Sequence, residues 1–150
     1  MIKYIIAQKE DVDLFMKIRL EMLREVNGLA PDYIYSDELT ENIRGYFLDG
    51  EQTNILAVDG EVIGCASLCY IKVMPTFSHP TGKRAHLMNV YVRPEYRRKG
   101  IAREMINMLI SEAKEKGVTE ISLDATEAGK PLYESLGFWS VEESMKMNLN

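Results

Sequence analysis

Residues 86–109 read HLMNVYVRPEYRRKGIAREMINML. From residue 87 to 92 the run is apolar and β-prone, and it stops at Arg93-Pro94, because proline cannot donate to a ladder and pushes its predecessor out of the helical region. A strand leaves a sheet at this point. After the turn, Arg97, Arg98, Lys99 and Gly100 precede Ala102, Met105, Ile106, Leu109 and Ala113, whose three- and four-residue steps predict an amphipathic helix. A strand that feeds a helix through a basic, glycine-containing turn suits phosphate. The first N–H groups of such a helix have no acceptor within it, its macrodipole adds partial positive charge, and the side chains add full charges. Gly100 and Ala102 are small where an anion would approach the backbone, and a larger side chain is expected to stand in the way.

Working back from this stretch, residues 54–59 and 62–73 flank Asp59-Gly60 and predict a hairpin whose two central residues both tolerate positive φ. Gly64 weakens the second strand unless something packs closely against it. Residues 74–83, with Pro75, Pro80 and Gly82, read as a polar loop. Earlier still, residues 2–7 predict a strand. Residues 9–26 predict a helix with Val12, Phe15, Met16, Ile18, Leu20, Met22 and Leu23 at mostly helical spacing, Glu10 and Asp11 in the first turn and Asn27-Gly28 as the stop. Tyr33 and Tyr35 lie in the following connector, and Ser36 is placed to cap a second helix running to about residue 48.

Working forward, the central helix is expected to end near Lys116-Gly117, followed by a strand over 120–125. Gly129-Lys130-Pro131 opens a short helix through Leu136, and residues 138–150 are expected to form a closing hairpin or paired strands. The order βααβββαβαβ is mixed α/β, with an antiparallel front and one crossover around the central helix. At 150 residues, without an internal change of composition, residues 1–150 make a single domain.

Two blocks carry a family resemblance. Arg97, Gly100 and Ala102 fit R/Q-x-x-G-x-G/A between a strand and a helix, and Leu132-Tyr133-Glu134-Ser135-Leu136-Gly137-Phe138 follows at the matching distance. Together they resemble the GNAT superfamily of acyl-CoA-dependent N-acyltransferases, most closely over residues 54–149. The resemblance implies a GNAT-like, mostly antiparallel central sheet with splayed central strands, flanked by about four helices, and acetyl-CoA entering the gap as co-substrate. It implies that the backbone of Val90, Tyr91 and Val92 pairs with the pantetheine arm. It implies that Arg97, Arg98, Lys99, Gly100, Ile101 and Ala102 hold the pyrophosphate, that Tyr133 is the general acid, and that Tyr33 and Tyr35 face the acceptor. A homodimer is a family habit that no residue here specifies.

Composition narrows the alternatives. A net charge of −5 and a pI near 5.1 argue against a general nucleic-acid binder, while four of the seven residues from 93 to 99 are basic. That cationic spot implies a small polyanion; the surrounding acidity would suit a cationic acceptor such as an amine, or serve solubility alone. No 18 apolar residues run together, so no membrane span is expected, and a cytoplasmic location is the simplest expectation. Cys65 and Cys69, four apart on one strand, read as reduced core residues. Two histidines and two cysteines without ligand spacing give no expectation of a metal. The motifs of P-loop, Rossmann, serine hydrolase and zincin enzymes are missing.

Amide formation from a thioester requires a neutral amine, a donor for the oxyanion and a proton for the leaving thiolate. A strand N–H near Val90 suits the second role. A phenol of ordinary pKa about 10 is protonated at neutral pH, so Tyr133 suits the third. No base is assigned: His86, His79, Glu25, Glu61 and Glu127 are all available, and enzymes of the superfamily often remove the proton through water. Small-molecule, peptide and protein amines all remain open as acceptors. An inactive acyl-CoA-binding regulatory module and a phosphate binder preferring ATP or NAD are the competing readings.

Overall fold

A computed structural model describes all residues 1–150. The elements in order are β1 (Lys3–Ile6), α1 (Val12–Val26, entered through a 3-10 turn at Lys9–Asp11), α2 (Asp37–Asp49), β2 (Gln52–Asp59), β3 (Glu61–Lys72), β4 (Lys83–Val92), a second 3-10 turn (Pro94–Tyr96), α3 (Ile101–Glu115), β5 (Glu120–Leu123) and α4 (Lys130–Ser135). The five strands form one sheet in sequence order, antiparallel except for the β4–β5 pair. No helix is long and apolar enough to cross a membrane.

Period-2 alternation, interrupted in β3 where Ile63 falls between the Val58–Val62 and Ala57–Gly64 pairs, sends the strands' side chains to opposite faces. Ile55 and Ala57 of β2, Ala66 and Leu68 of β3 and Ala85 and Leu87 of β4 meet Met105, Ile106 and Leu109 of α3 in the larger core cluster. Leu56, Val62, Cys65 and Tyr91 point the other way and are covered by Ile18 and Met22 of α1. Burying each of the Ile, Leu, Val and Met side chains among these stabilises the fold by about 1.5–3 kcal/mol. The first helix pair is joined by Phe15 and Phe47, stacked with ring centroids 4.4 Å apart. Ser36 caps α2 as its residue type predicts, its hydroxyl accepting from the Leu39 amide at 3.2 Å.

The sequence expectations fail in three places. Residues 138–150 form no hairpin or strand: beyond Phe138 no backbone group joins a hydrogen bond, and Trp139, Met145, Met147 and Leu149 stand exposed. Alternation specifies a strand only where its apolar face is buried, and Met145, Met147 and Leu149 pack against nothing here. At the β2–β3 hairpin only Gly60 is left-handed, because Asp59 already pairs with Glu61 and one residue makes the turn. The predicted strand at 120–125 stops at Leu123. Gly64, by contrast, has its close neighbour: a Cβ there would lie 2.8 Å from the Tyr91 carbonyl oxygen.

The exit of β4 is fastened to α1. Arg93 donates from Nε and Nη2 to the two carboxylate oxygens of Glu21, each at 2.9 Å, pairs also with Glu61, and Tyr91 Oη donates to Glu21 at 3.1 Å. Burial by itself would raise the Glu21 pKa, but the hydrogen bonds from Arg93 and Tyr91 outweigh it and hold the carboxyl below the usual range. A carboxylate with a depressed folded-state pKa stabilises above its unfolded value and loses that contribution as pH falls through the folded one. Arg93→Met is therefore expected to lower stability by about 2 kcal/mol at pH 7. Urea titrations should show the gap between wild type and variant closing toward pH 3; an equal gap at both pH values would assign the loss to something other than the pair.

Candidate active site

The site is built around an irregularity in β4. Cys65 pairs with Tyr91 and Ser67 with Met88, so Asn89 and Val90 together oppose Ala66 alone, and Asn89 takes a left-handed φ of 58°. This is a β-bulge, with two residues on one strand facing one on the other. It breaks the alternation. Met88 and Asn89 both face the α1–α2 side, and Val90 turns back toward the α3 cluster. On its other side β4 pairs with β5 only as far as Leu87 with Leu123, so residues 88–92 run on with no strand beside them. That unpaired edge is the opening in the sheet.

Immediately after the opening the chain makes its basic turn. Arg98 has φ 64° and Gly100 φ 78°, both left-handed, and α3 begins at Ile101. The first helical bond runs from the Glu104 amide to the Gly100 carbonyl at 3.0 Å, and the amides of residues 98–103 donate to no backbone acceptor. A Cβ on Gly100 would meet nothing within 4 Å, so the glycine is required by its backbone angle and not by crowding within the protein. Any obstruction by bulk at this position would be against the anion itself. Successive free N–H groups at a turn into a helix make a concave anion site.

The basic side chains are not equivalent. Arg97 is committed to the protein, donating from Nε to the Val92 carbonyl and from Nη2 to Glu25, both at 2.7 Å. Lys99 Nζ lies 5.5 Å from the Tyr96 ring centroid, while Arg98 is exposed and has no carboxylate partner. The turn is held by Arg97, and Arg98 and Lys99 are free to meet an anion.

On the α1–α2 side, beside the bulge, lies a cleft of about 470 Å³. Phe15 and Arg19 of α1 and Ile43 and Tyr46 of α2 form one wall, and Ser67, Cys69, Met88 and Asn89 of the sheet form its floor. His86 reaches it too, with Nδ1 2.9 Å from Ser122 Oγ and Nε2 3.8 Å from Asp124. His79 lies elsewhere, bound to Thr119 and Glu120. No three of the histidine, cysteine, aspartate and glutamate side chains cluster as metal ligands would.

A model of the GNAT acetyltransferase family matches residues 18–138, a span that includes the bulge, the basic turn and α4. The chain belongs to the GNAT acetyltransferase family. A predicted acetyltransferase from Clostridium acetobutylicum, crystallised with acetyl-CoA, superposes with a TM-score of 0.86 at 30% identity, over 99% of this chain and 96% of that one. Among curated relatives, a glucosamine 6-phosphate N-acetyltransferase of Trypanosoma brucei brucei is 33% identical over 90 residues. That match covers 60% of this chain and 59% of the relative's length, so it spans less than two thirds of that protein. A thialysine N-epsilon-acetyltransferase of Sus scrofa is 28% identical over 127 residues, covering 83% of this chain and 73% of the relative. The mostly antiparallel open sheet with four helices is the architecture of these GNAT structures.

Within this GNAT chain, α4 sits against the start of α3. Arg103 Nη2 donates to Ser135 Oγ at 2.6 Å, and Tyr133 packs into the same core cluster as Val90 and Ala102. The Tyr133 ring meets Phe138 edge-on at 6.0 Å, and burial alone pushes its phenol pKa up. Tyr91 is turned away, its hydroxyl spent on Glu21, so only its backbone faces the opening. Tyr33 and Tyr35 do not line the cleft: Tyr35 Oη donates to the Leu20 carbonyl at 2.9 Å and Tyr33 packs edge-on against it, so the pair ties the connector to α1. Cys65 is fully buried, its thiol donating to the Asn89 carbonyl and its pKa pushed up to about 12 by burial, which makes it inert.

The sequence expectations include neither Arg19 nor Asn89. Each left a signal: Arg19 falls four residues after Phe15 on an apolar helix stripe, and Asn89 is the one polar residue in the run LMNVYV.

Proposed function

We propose that this chain transfers the acetyl group of acetyl-CoA to a primary amine, with Tyr133 as general acid. The observation that carries the reading is the row of unpartnered amides at residues 98–103 directly following an unpaired strand edge. A diphosphate fits the first and an amide-bearing arm fits the second. The backbone of Val90, Tyr91 and Val92 would bind that arm as an added strand. The amides of Arg98, Lys99, Gly100, Ile101 and Ala102 would hold the pyrophosphate, with the side chains of Arg98 and Lys99 closing over it, while Arg97 keeps the turn in shape.

Acetyl-CoA, once bound, supplies a thioester whose carbonyl carbon is open to a neutral amine, the acetyl group passing to nitrogen as the thiol departs. An N–H at the Val90 bulge stabilises the negative charge that develops on the carbonyl oxygen. Tyr133 donates its phenolic proton to the departing sulfur, and the proton that the acylated nitrogen loses passes to water, from which the phenol is restored. Its raised pKa keeps that proton in place throughout the neutral range. The amine enters from the cleft between α1, α2 and the sheet, whose lining includes Asn89 of the bulge. Relatives whose names specify N-acetylation of glucosamine 6-phosphate, thialysine and the alanine of ribosomal protein bS18 are in keeping with an amine acceptor.

Calorimetric titration with acetyl-CoA, against ATP and NAD as controls, followed by thiol release over a panel of amines, tests the reading. Selective acetyl-CoA binding with amine-dependent thiol release is the expected result. Binding without turnover would leave a CoA-binding module, and folded protein that binds no acetyl-CoA would overturn the proposal.

A further inference from the structure

Arg19 projects from α1 into the wall of the cleft, half-buried between Phe15 and the sheet. Its Nη1 donates to Asn89 Oδ1 at 3.1 Å, and no carboxylate lies within ion-pair distance, whereas Arg44, Arg84, Arg93 and Arg97 each have one. A guanidinium has five N–H donors, and the protein engages one. Burial pulls its pKa down, as expected for a cation removed from water without a counter-charge. The group is also held in place. Asn89 Nδ2 donates to Ser67 Oγ at 3.0 Å, Ser67 donates to Asn54, and Asn54 Nδ2 donates to Gln52 at 2.9 Å. Each amide in this chain has its oxygen and nitrogen committed, so Asn89 can present only its oxygen to Arg19.

The rest of the cleft lining contains no aspartate or glutamate. The pocket that would receive an amine therefore offers one fixed positive charge and no negative one. The net charge of −5 lies outside it, and surface charges more than a Debye length of about 8–10 Å away are largely screened. A purely cationic amine finds no carboxylate among the lining residues, although Asp124 lies 3.8 Å from Nε2 of the lining His86.

Building on the acetyltransferase reading, we propose that the acceptor is an amine that also carries an anionic group, a carboxylate or a phosphate ester, which binds Arg19 while the amine points toward the bulge. Overall acidity would suit a cationic acceptor or serve solubility alone; the local charge of the cleft selects a zwitterion.

Matched pairs test this: lysine against cadaverine for the carboxylate, and glucosamine 6-phosphate against glucosamine for the phosphate. Each is followed by acetyl-CoA-dependent thiol release and by calorimetric binding to the CoA-saturated protein. In at least one pair the anionic member should be preferred by about tenfold or more, mainly in KM, the value of one or two charge-assisted bonds. The pair that responds identifies the anion. Arg19→Gln, which keeps a donor for Asn89, should abolish the preference without weakening acetyl-CoA binding, and Arg19→Lys should retain part of it. Equal use of both members by wild type, or a preference that survives in Arg19→Gln, would overturn the assignment. Wild type that binds acetyl-CoA but neither anionic amine also overturns it and leaves the acetyltransferase reading standing. Failure to bind acetyl-CoA overturns both.

Discussion

Tyr133→Phe is expected to lower kcat by about 10²–10³-fold, within the range for loss of a positioned proton donor, while acetyl-CoA binds as before. The ring stays, so the edge-on contact with Phe138 and the packing into the α3 cluster are preserved and only the hydroxyl is lost. Nothing in the protein holds that hydroxyl in another role: burial is the sole influence on its pKa. The direction of the shift matters. A phenol raised above about 10 keeps its proton through neutral and moderately alkaline pH, so the pH–rate profile of wild type should show no limb from Tyr133 below that value. Wild type and variant should then have profiles of the same shape, displaced vertically. An unchanged kcat would remove Tyr133 as the acid; a raised Kd for acetyl-CoA with unchanged kcat would make it a binding residue.

What could be read from the sequence followed from how local each determinant is. The strand, turn and helix over residues 86–115 are announced by a proline, a glycine and a helical stripe, all acting within a few residues, and the structure has them at Lys83–Val92, Pro94–Tyr96 and Ile101–Glu115. The bulge was not legible. It depends on β3 offering Ala66 alone to Asn89 and Val90, a relation across the sheet that neither strand encodes by itself. Arg97 shows the same limit in a side chain. Its position in a basic cluster reads as phosphate binding, but Glu25 and the Val92 carbonyl, brought to it from α1 and β4, engage two of its five N–H donors.

The acceptor side was still less accessible, for a physical reason. Its cleft is assembled from α1, α2, β2, β3 and β4, so its character depends on which side chains from five elements happen to converge. Composition reports the total charge, which is negative; the cleft reports the local charge, which is positive. Tyr33 and Tyr35 sit in the segment expected to face the acceptor, yet they fold onto α1, with Arg24 5.1 Å from the Tyr35 ring centroid. Half-exposed aromatic rings cover the nearest apolar and cationic surface, and in this connector that surface is the helix and not the cleft.

Gly100→Val is expected to weaken acetyl-CoA binding by about 100-fold, equivalent to losing one or two charge-assisted hydrogen bonds. A β-branched residue cannot hold φ 78°, so the turn must leave the left-handed region and carry the neighbouring amides out of alignment. The strain is about 1–3 kcal/mol in an exposed turn, small enough for the protein to remain folded, which circular dichroism would verify. Gly100→Asn separates backbone from bulk. Asparagine tolerates the left-handed conformation, and a Cβ at this position meets no protein atom within 4 Å, so most of the affinity should survive. If Asn weakens binding as much as Val, the obstruction is side-chain bulk against the bound phosphate, and the left-handed angle is incidental. If Val binds acetyl-CoA at full strength, the pyrophosphate is held away from residues 98–102, and the free amides there serve some other anion.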